Sequence, residues 1–159
     1  MQTTIRPFLP RDTEGVQSLV ISVQHEHGVQ ISLQDQPDLF DIPKIYQVGA
    51  GNFWVAVDKQ ESVVGTMALI DIGDGAVAMR KVFLKPDQRG SGLARDMLAV
   101  VFDWMKEHAS HTVCLGTISR LNVAIRFYEK NGFSRVDKSQ LPASFPVMHT
   151  DDLFLMKTV

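Results

Sequence analysis

The sequence feature that most constrains this chain is a glycine-rich loop where a strand pattern gives way to a helix pattern. β-Favouring residues over 77–84 lead to Pro86, and a long amphipathic segment begins at Leu93. Glycine lets backbone N–H groups approach an anion closely, and the first turn of a helix leaves N–H groups without internal partners. The pattern therefore favours a phosphate site, although a glycine turn without a ligand has the same local sequence. The loop consists of Arg89, Gly90, Ser91, Gly92, Leu93 and Ala94.

Composition limits the class of protein. The chain has 159 residues, of which 45% are hydrophobic, and this fits one globular domain over 1–159. The formal net charge of -2 gives no general attraction to nucleic acid or to an anionic membrane. The N-terminal residues lack the apolar core of a signal peptide, and the apolar runs are too short to cross a bilayer. A cytoplasmic location is therefore expected. One cysteine, Cys114, excludes an intrachain disulfide.

The hydrophobic pattern predicts one mixed α+β domain without internal repeats. Asp12 is expected to cap the first helix with its side chain. Pro43 either starts a turn in the second helical region or breaks that region. Strands are predicted over 3–9, 51–58, 62–71, 77–84, 112–117, 133–136 and 153–157. Helices are predicted over 12–28, 39–46, 93–108 and 121–130.

A second motif lies about 35 residues after the loop. The segment 124–133 reads Ala-Ile-Arg-Phe-Tyr-Glu-Lys-Asn-Gly-Phe, a helix pattern that ends at Asn131 and Gly132. The two motifs together resemble the GNAT acyltransferase superfamily, whose loop is Arg/Gln-x-x-Gly-x-Gly/Ala and whose second motif ends Tyr-Glu-Lys-x-Gly-Phe. The order of elements on either side also fits, so the resemblance covers nearly the whole chain.

The resemblance implies a mostly antiparallel mixed sheet that splays between its fourth and fifth strands, with about four flanking helices. It also implies acetyl-CoA as cosubstrate and no metal. The pantetheine arm would lie in the split along Val82, Phe83 and Leu84, and the pyrophosphate would bind the N–H groups of residues 89–94. Gly116 would offer room on the other side of the split. The family's cofactor-contacting asparagine falls at Leu121 here, so the role is carried over to the next residue, Asn122.

The resemblance also assigns the chemistry. Tyr128 would donate a proton to the leaving sulfur, because a phenol with a pKa of ~10 stays protonated at neutral pH beside a thiol of ~8.5. A main-chain N–H of Phe83 or Leu84 would polarise the acetyl carbonyl. Without the resemblance, Tyr128 reads as a core residue on the apolar stripe of its helix.

The general base is left open by the sequence. His25, Glu26 and His27 form one candidate group, and a solvated helix end explains them equally well. Weaker candidates are Asp71, Asp74 and His149. Arg80 and Lys81 precede the cofactor segment and are candidates to hold an acceptor carboxylate. Phe145 in the proline-marked loop either lines an acceptor pocket or packs on the sheet, and Cys114 is assigned no role.

The predicted function is acetyl-CoA-dependent N-acetyl transfer by direct attack of a small primary amine, an amino acid or related metabolite being one candidate acceptor. Two alternatives stay open. One is a protein acetyltransferase that acts on lysine or an N-terminus. The other is a non-catalytic acyl-CoA-binding sensor, which would not need Tyr128. A homodimer is a reasonable expectation for a soluble enzyme, although no residue specifies it.

Overall fold

The computed structural model describes residues 2–159 and contains one seven-stranded sheet with helices on both faces. The strand order is β1-β2-β3-β4-β5-β7-β6, with β4 and β5 parallel and the other neighbours antiparallel. The strands are β1 (Thr4–Pro7), β2 (Asn52–Val57), β3 (Val63–Gly73), β4 (Ala76–Leu84), β5 (Thr112–Thr117), β6 (Ser134–Val136) and β7 (Leu153–Thr158). The helices are α1 (Thr13–Glu26), α2 (Ile42–Ile45), α3 (Leu93–Glu107) and α4 (Asn122–Lys130). The predicted α+β class and the element order are confirmed.

The sheet is buried on both faces. All six residues of β2 are buried, because alternate side chains point to opposite faces and each face is covered by helices. One apolar cluster packs α3 and α4 onto the sheet, and Met97 and Tyr128 belong to it. The other packs α1 and α2 onto the opposite face, with Val20 and Tyr46 among its members.

Two local expectations change in the structure. The Asp12 carboxylate does not cap α1 but accepts hydrogen bonds from the Arg6 guanidinium at 2.7 and 3.0 Å and from the Leu9 N–H at 2.9 Å. An ion pair with two hydrogen bonds is stronger than a carboxylate's single bond to a helix N–H, which explains why the side chain turns toward β1. The second helical region is shorter than predicted: a 3₁₀ turn over Pro37–Phe40 precedes α2, and Pro43 lies in the first turn of α2.

A bulge in β4 is the feature of the fold that shapes the site. The β3–β4 register shifts between Thr66 and Ala68, and Lys81 has a φ of 56°, in the left-handed region that side-chain-bearing residues disfavour. Such a conformation costs on the order of 1 kcal/mol or more, so neighbouring contacts must hold it. The Thr66 hydroxyl supplies one of them by donating to the Lys81 carbonyl at 2.7 Å.

The Lys81 side chain supplies the other contacts. Its ammonium is buried, donates to Gln36 Oε1 at 2.8 Å and lies 3.5 Å from Asp38 Oδ2. The Tyr46 hydroxyl donates to the same Asp38 oxygen. Burial lowers the pKa of Lys81, and the Asp38 carboxylate opposes that shift. These contacts tie the bulge to the segment 36–46, which contains α2.

We predict that Lys81→Met lowers the free energy of unfolding by about 3 kcal/mol, because the Asp38 carboxylate would lose its buried cation. Lys85→Met is the matched control, since Lys85 is exposed just beyond the end of β4 and should change stability by less than about 0.5 kcal/mol. Urea unfolding followed by tryptophan fluorescence measures both. Equal stability of the two variants would contradict a structural role for the Lys81 ammonium.

Candidate active site

A cleft opens in the sheet between β4 and β5. The two strands pair only where Ala76–Ala78 lie beside Thr112–Cys114, yet β4 continues to Leu84 and β5 to Thr117. Beyond Cys114 the main-chain groups on the facing edges of these strands are therefore not used for β4–β5 pairing. The predicted split between the fourth and fifth strands is confirmed.

The last residues of β4 lie along this cleft. Val82, Phe83 and Leu84 are half-buried. Val82 and Leu84 pack against the cluster beneath α3 and α4, whereas Phe83 packs against the cluster beneath α1 and α2. The three side chains thus pack on the two faces of the sheet. The main-chain edge of this part of β4 faces the split.

The glycine-rich loop follows β4 directly. Gly90 and Gly92 have φ values of 74° and 88°, which glycine adopts without strain, and α3 begins at the next residue. Within residues 2–159, the N–H groups of Gly90, Ser91, Gly92 and Ala94 find no protein acceptor. The Ser91 hydroxyl donates to the Gln88 carbonyl at 2.6 Å and so braces the turn. Free donors at the start of a 15-residue helix suit an anion.

Arg89 makes contacts that the sequence analysis did not anticipate. Its guanidinium donates to both carboxylate oxygens of Glu26, at 2.6 and 2.8 Å, and to the Leu84 carbonyl at 3.0 Å. The hydrogen bond from Arg89 lowers the pKa of Glu26. Across the cleft, Arg120 donates to the His27 carbonyl at 2.8 Å. The C-terminal end of α1 therefore contacts both the glycine loop and the loop between β5 and α4.

Tyr128 lies on α4 with its ring packed edge-on against Phe127 and Phe133, at centroid distances of 5.7 and 5.6 Å. The residue is 7% exposed. Its hydroxyl has no protein hydrogen-bond partner in the described part of the chain, where Ser110 Oγ is the one fully buried side-chain nitrogen or oxygen atom without such a partner. The Tyr128 oxygen therefore keeps access to open space. Burial raises the pKa of Tyr128 well above its ordinary value, so the phenol holds its proton.

The other residues from the sequence analysis are spread around this cleft. Asn122 is the exposed first residue of α4, and its side chain makes no hydrogen bond within 2–159. The His25 ring nitrogen Nε2 lies 3.0 Å from the Ile31 carbonyl, at the exposed end of α1. The Asp71 carboxylate accepts N–H groups of Ala50 and Gly73 and braces a turn.

Cys114 is fully buried in β5, and burial raises the pKa of its thiol to about 11. A thiol in that state is a poor nucleophile. Among residues 2–159, the structure contains no group of three histidine, cysteine or acidic side chains arranged to hold a metal. None of the helices in the same range has the length and apolarity that crossing a membrane requires.

Two further charged residues lie on the side of the sheet that α1 and α2 cover. Arg80 is paired opposite Ala68, which belongs to the cluster beneath those helices, and its Nη2 lies 3.4 Å from Met148 Sδ. The Asp151 carboxylate occupies the space where a side chain at Gly116 would lie. The room expected at Gly116 is therefore filled by a residue from the loop before β7.

The sequence analysis missed Asp151. Its position follows from how residues 137–152 fold back over the sheet, where the Ser144 hydroxyl donates to the Ile72 carbonyl at 2.7 Å. Phe145 packs edge-on against Phe154 at 6.2 Å. The one signal in the sequence was the acidic pair formed with Asp152 just before the last strand.

Comparison with known proteins supports the same family. The family model described as "Acetyltransferase (GNAT) domain" matches residues 49–135, more than half of the chain. A solved GNAT-family acetyltransferase from Staphylococcus aureus Mu50 is similar with a TM-score of 0.94 and 30% identity, covering 99% of both chains. The PaiA N-acetyltransferase of Thermoplasma acidophilum, solved in complex with coenzyme A, has the same fold with a TM-score of 0.76 and 17% identity over 100% of each chain.

Among curated proteins, "Probable N-acetyltransferase family 8 member 5" of Mus musculus is 31% identical over 108 residues. The match includes 65% of this chain and 47% of the mouse protein, so the chain spans about half the length of that relative. The family match lies on the split, the glycine loop and α4, the three parts from which the cleft is built. The chain belongs to the GNAT acetyltransferase family.

Proposed function

We propose that the described chain forms one acetyltransferase domain that moves an acetyl group from acetyl-CoA to a small primary amine by direct attack. The observation that carries the proposal is the set of unpaired N–H groups of Gly90, Ser91, Gly92 and Ala94, just after the strand that separates from its neighbour. A phosphate at the start of a helix and an extended arm along a free strand edge match these two features.

The cofactor contacts follow from this arrangement. The pyrophosphate binds the loop of residues 89–94 on its free main-chain N–H groups, and the pantetheine arm lies along Val82, Phe83 and Leu84. Asn122 is exposed at the start of α4, the helix that follows β5, and contacts the cofactor from the β5 side of the split. The coenzyme A complex of the Thermoplasma protein, which shares this fold, supports the choice of cosubstrate.

The chemistry uses groups on both sides of the cleft. The amine nitrogen forms a bond to the thioester carbonyl carbon, and the carbon–sulfur bond then breaks. A main-chain N–H of Phe83 or Leu84 stabilises the developing oxyanion. Tyr128 donates a proton to the leaving sulfur. Two features support this role: the raised pKa keeps the phenol protonated, and the hydroxyl has no hydrogen-bond partner in the described residues. A sensor that only binds acyl-CoA has no use for this hydroxyl.

The acceptor side supports a small molecule rather than a protein segment. Residues 137–152 fold over the sheet and are fixed there by Ser144 on the Ile72 carbonyl and by Phe145 on Phe154. A protein substrate needs an open groove for an extended peptide. A loop fixed across this side favours a compact acceptor instead.

The cofactor site is tested by calorimetric titration of acetyl-CoA and free CoA. Gly90→Glu should weaken binding by about 100-fold or more, because a carboxylate would compete with the pyrophosphate for the loop N–H groups. Gly73→Glu is the matched control: both glycines have positive φ, at 74° and 89°, and neither has an atom within 4 Å of an added Cβ. The control should lose stability but keep its affinity. A folded wild-type protein that binds neither ligand would refute the proposed function.

The proton donor is tested by removing one oxygen atom. Tyr128→Phe should lower kcat by about 100-fold and change acetyl-CoA affinity by less than about twofold, because the hydroxyl acts on the leaving group. The other tyrosine is the control: Tyr46→Phe removes a hydroxyl that bonds to Asp38 and should reduce stability more than kcat. Thiol release in an amine screen measures turnover, and an unchanged kcat in Tyr128→Phe would remove Tyr128 from the mechanism.

A further inference from the structure

We propose that the acceptor is an amino carboxylate, with Arg80 binding its carboxylate and Asp151 accepting the proton of its amine. The inference rests on the proposed function, because it concerns the acceptor half of the same cleft. It deepens that function by naming the substrate class and a general base.

Arg80 lies where an acceptor must approach the thioester. It is the β4 residue just before the bulge, two positions ahead of Val82 and the cofactor segment. Its pairing with Ala68 puts its side chain on the face opposite α3 and α4, and thus opposite Tyr128. An acceptor bound there reaches the split from the side that Tyr128 does not occupy.

The Arg80 guanidinium is available for a ligand. Over residues 2–159, no carboxylate lies within 4.0 Å of its nitrogens, and its Nη2 donates to the weak acceptor Met148 Sδ at 3.4 Å. Asp38 is already engaged by Lys81 and by the Tyr46 hydroxyl. Of the two candidates for binding an acceptor carboxylate, Lys81 is therefore excluded and Arg80 remains. A guanidinium matches a carboxylate in two-point geometry, which thioether sulfur cannot provide.

Asp151 lies beside the split on the same face. Its carboxylate covers Gly116. Gly116 lies two positions after Cys114, the last β5 residue paired with β4. Oδ2 accepts the Met148 N–H at 3.0 Å, and in the described range Oδ1 has no partner. The neighbouring Asp152 points elsewhere, because its two oxygens accept the Ser119 N–H and hydroxyl at 2.7 and 2.8 Å.

Met148 connects the two charged groups, since its sulfur contacts Arg80 and its N–H contacts Asp151. One residue therefore separates a free cation from a carboxylate with a free oxygen. An amino acid carries the complementary pair of charges on neighbouring carbon atoms. A polyamine would instead meet repulsion from Arg80, which makes it the disfavoured class of small amine.

The surroundings of Asp151 suit a base. Burial raises the pKa of Asp151, and the neighbouring Asp152 raises it further, while the Met148 N–H, Arg80 and His149 oppose the increase. A carboxylate with a raised pKa is a stronger proton acceptor than an exposed one. Because the base works in its ionised form, activity should fall as the pH drops through this pKa.

The protons balance in two transfers. The acceptor ammonium loses one proton to Asp151, which passes it to solvent, and the neutral amine attacks the thioester carbonyl. As the carbon–sulfur bond breaks, the sulfur takes a proton from Tyr128. The second proton leaves the nitrogen and restores the Tyr128 phenol through solvent. The products are an amide and free CoA thiol, and one proton is released overall.

The substrate class is tested by thiol release with the L-amino acids, their carboxamides and spermidine as probes. The wild type should acetylate at least one amino acid with a kcat/KM at least about 10-fold above that for its carboxamide. Arg80→Gln should reduce this preference to less than about 3-fold, and Arg80→Lys should restore part of it. Equal use of acids and carboxamides, an unchanged preference in Arg80→Gln, or a preference for spermidine would overturn the proposal.

The base is tested in the pH profile of kcat/KM with the best amino acid. Asp151→Asn should lower kcat/KM by about 100-fold at neutral pH and remove the acidic inflection. Asp152→Asn, the neighbouring carboxylate that holds Ser119, should keep that inflection. An inflection that persists in Asp151→Asn would overturn the assignment of the base.

Acetyl-CoA titration of each variant separates failure of this inference from failure of the proposed function. Wild-type protein that binds acetyl-CoA but acetylates none of the amino acids overturns the inference alone. Wild-type protein that does not bind acetyl-CoA overturns the proposed function.

Discussion

The buried contact of Lys81 with Gln36 and Asp38 is the interaction on which the rest of the site depends. It holds a non-glycine residue at positive φ in the middle of β4, a conformation that local sequence disfavours. The resulting bulge lies three residues beyond Ala78, the last β4 residue that pairs with β5. The bulge therefore lies in the part of β4 that borders the cleft.

In the proposed reaction the two substrates approach from opposite faces of the sheet. The glycine loop and Tyr128 belong to the side of α3 and α4, whereas Arg80 and Asp151 lie on the side of α1 and α2. In a closed sheet these groups could not act on one bond. The two strands stop pairing after Cys114, and in the proposed reaction a thioester from one face and an amine from the other meet at this split.

The end of α1 joins these parts mechanically. Glu26 is held by Arg89 from the glycine loop, and the His27 carbonyl is held by Arg120 from the loop after β5. Both contacts bridge segments more than 60 residues apart in sequence. They fix the loops on the two sides of the split relative to one helix, which is the rigidity that positioning a thioester requires.

The sequence predicted those parts of the site that depend on short segments of the chain. The strand–loop–helix order around Gly90 and the helix that carries Tyr128 follow from hydrophobic period and glycine positions, and both are present. It failed at Asp12, where a nearby arginine outcompeted a helix cap. It could not find Asp151, because no short-range pattern shows that a carboxylate will fold back onto a glycine in another strand.

The most direct test of the central claim is the crystal structure of the complex with coenzyme A. The account predicts pyrophosphate oxygens at about 3 Å from the N–H groups of residues 90–94, pantetheine along Val82–Leu84, and the thiol sulfur within hydrogen-bonding reach of the Tyr128 hydroxyl. Coenzyme A bound outside the β4–β5 split, or with its sulfur remote from Tyr128, would contradict the account.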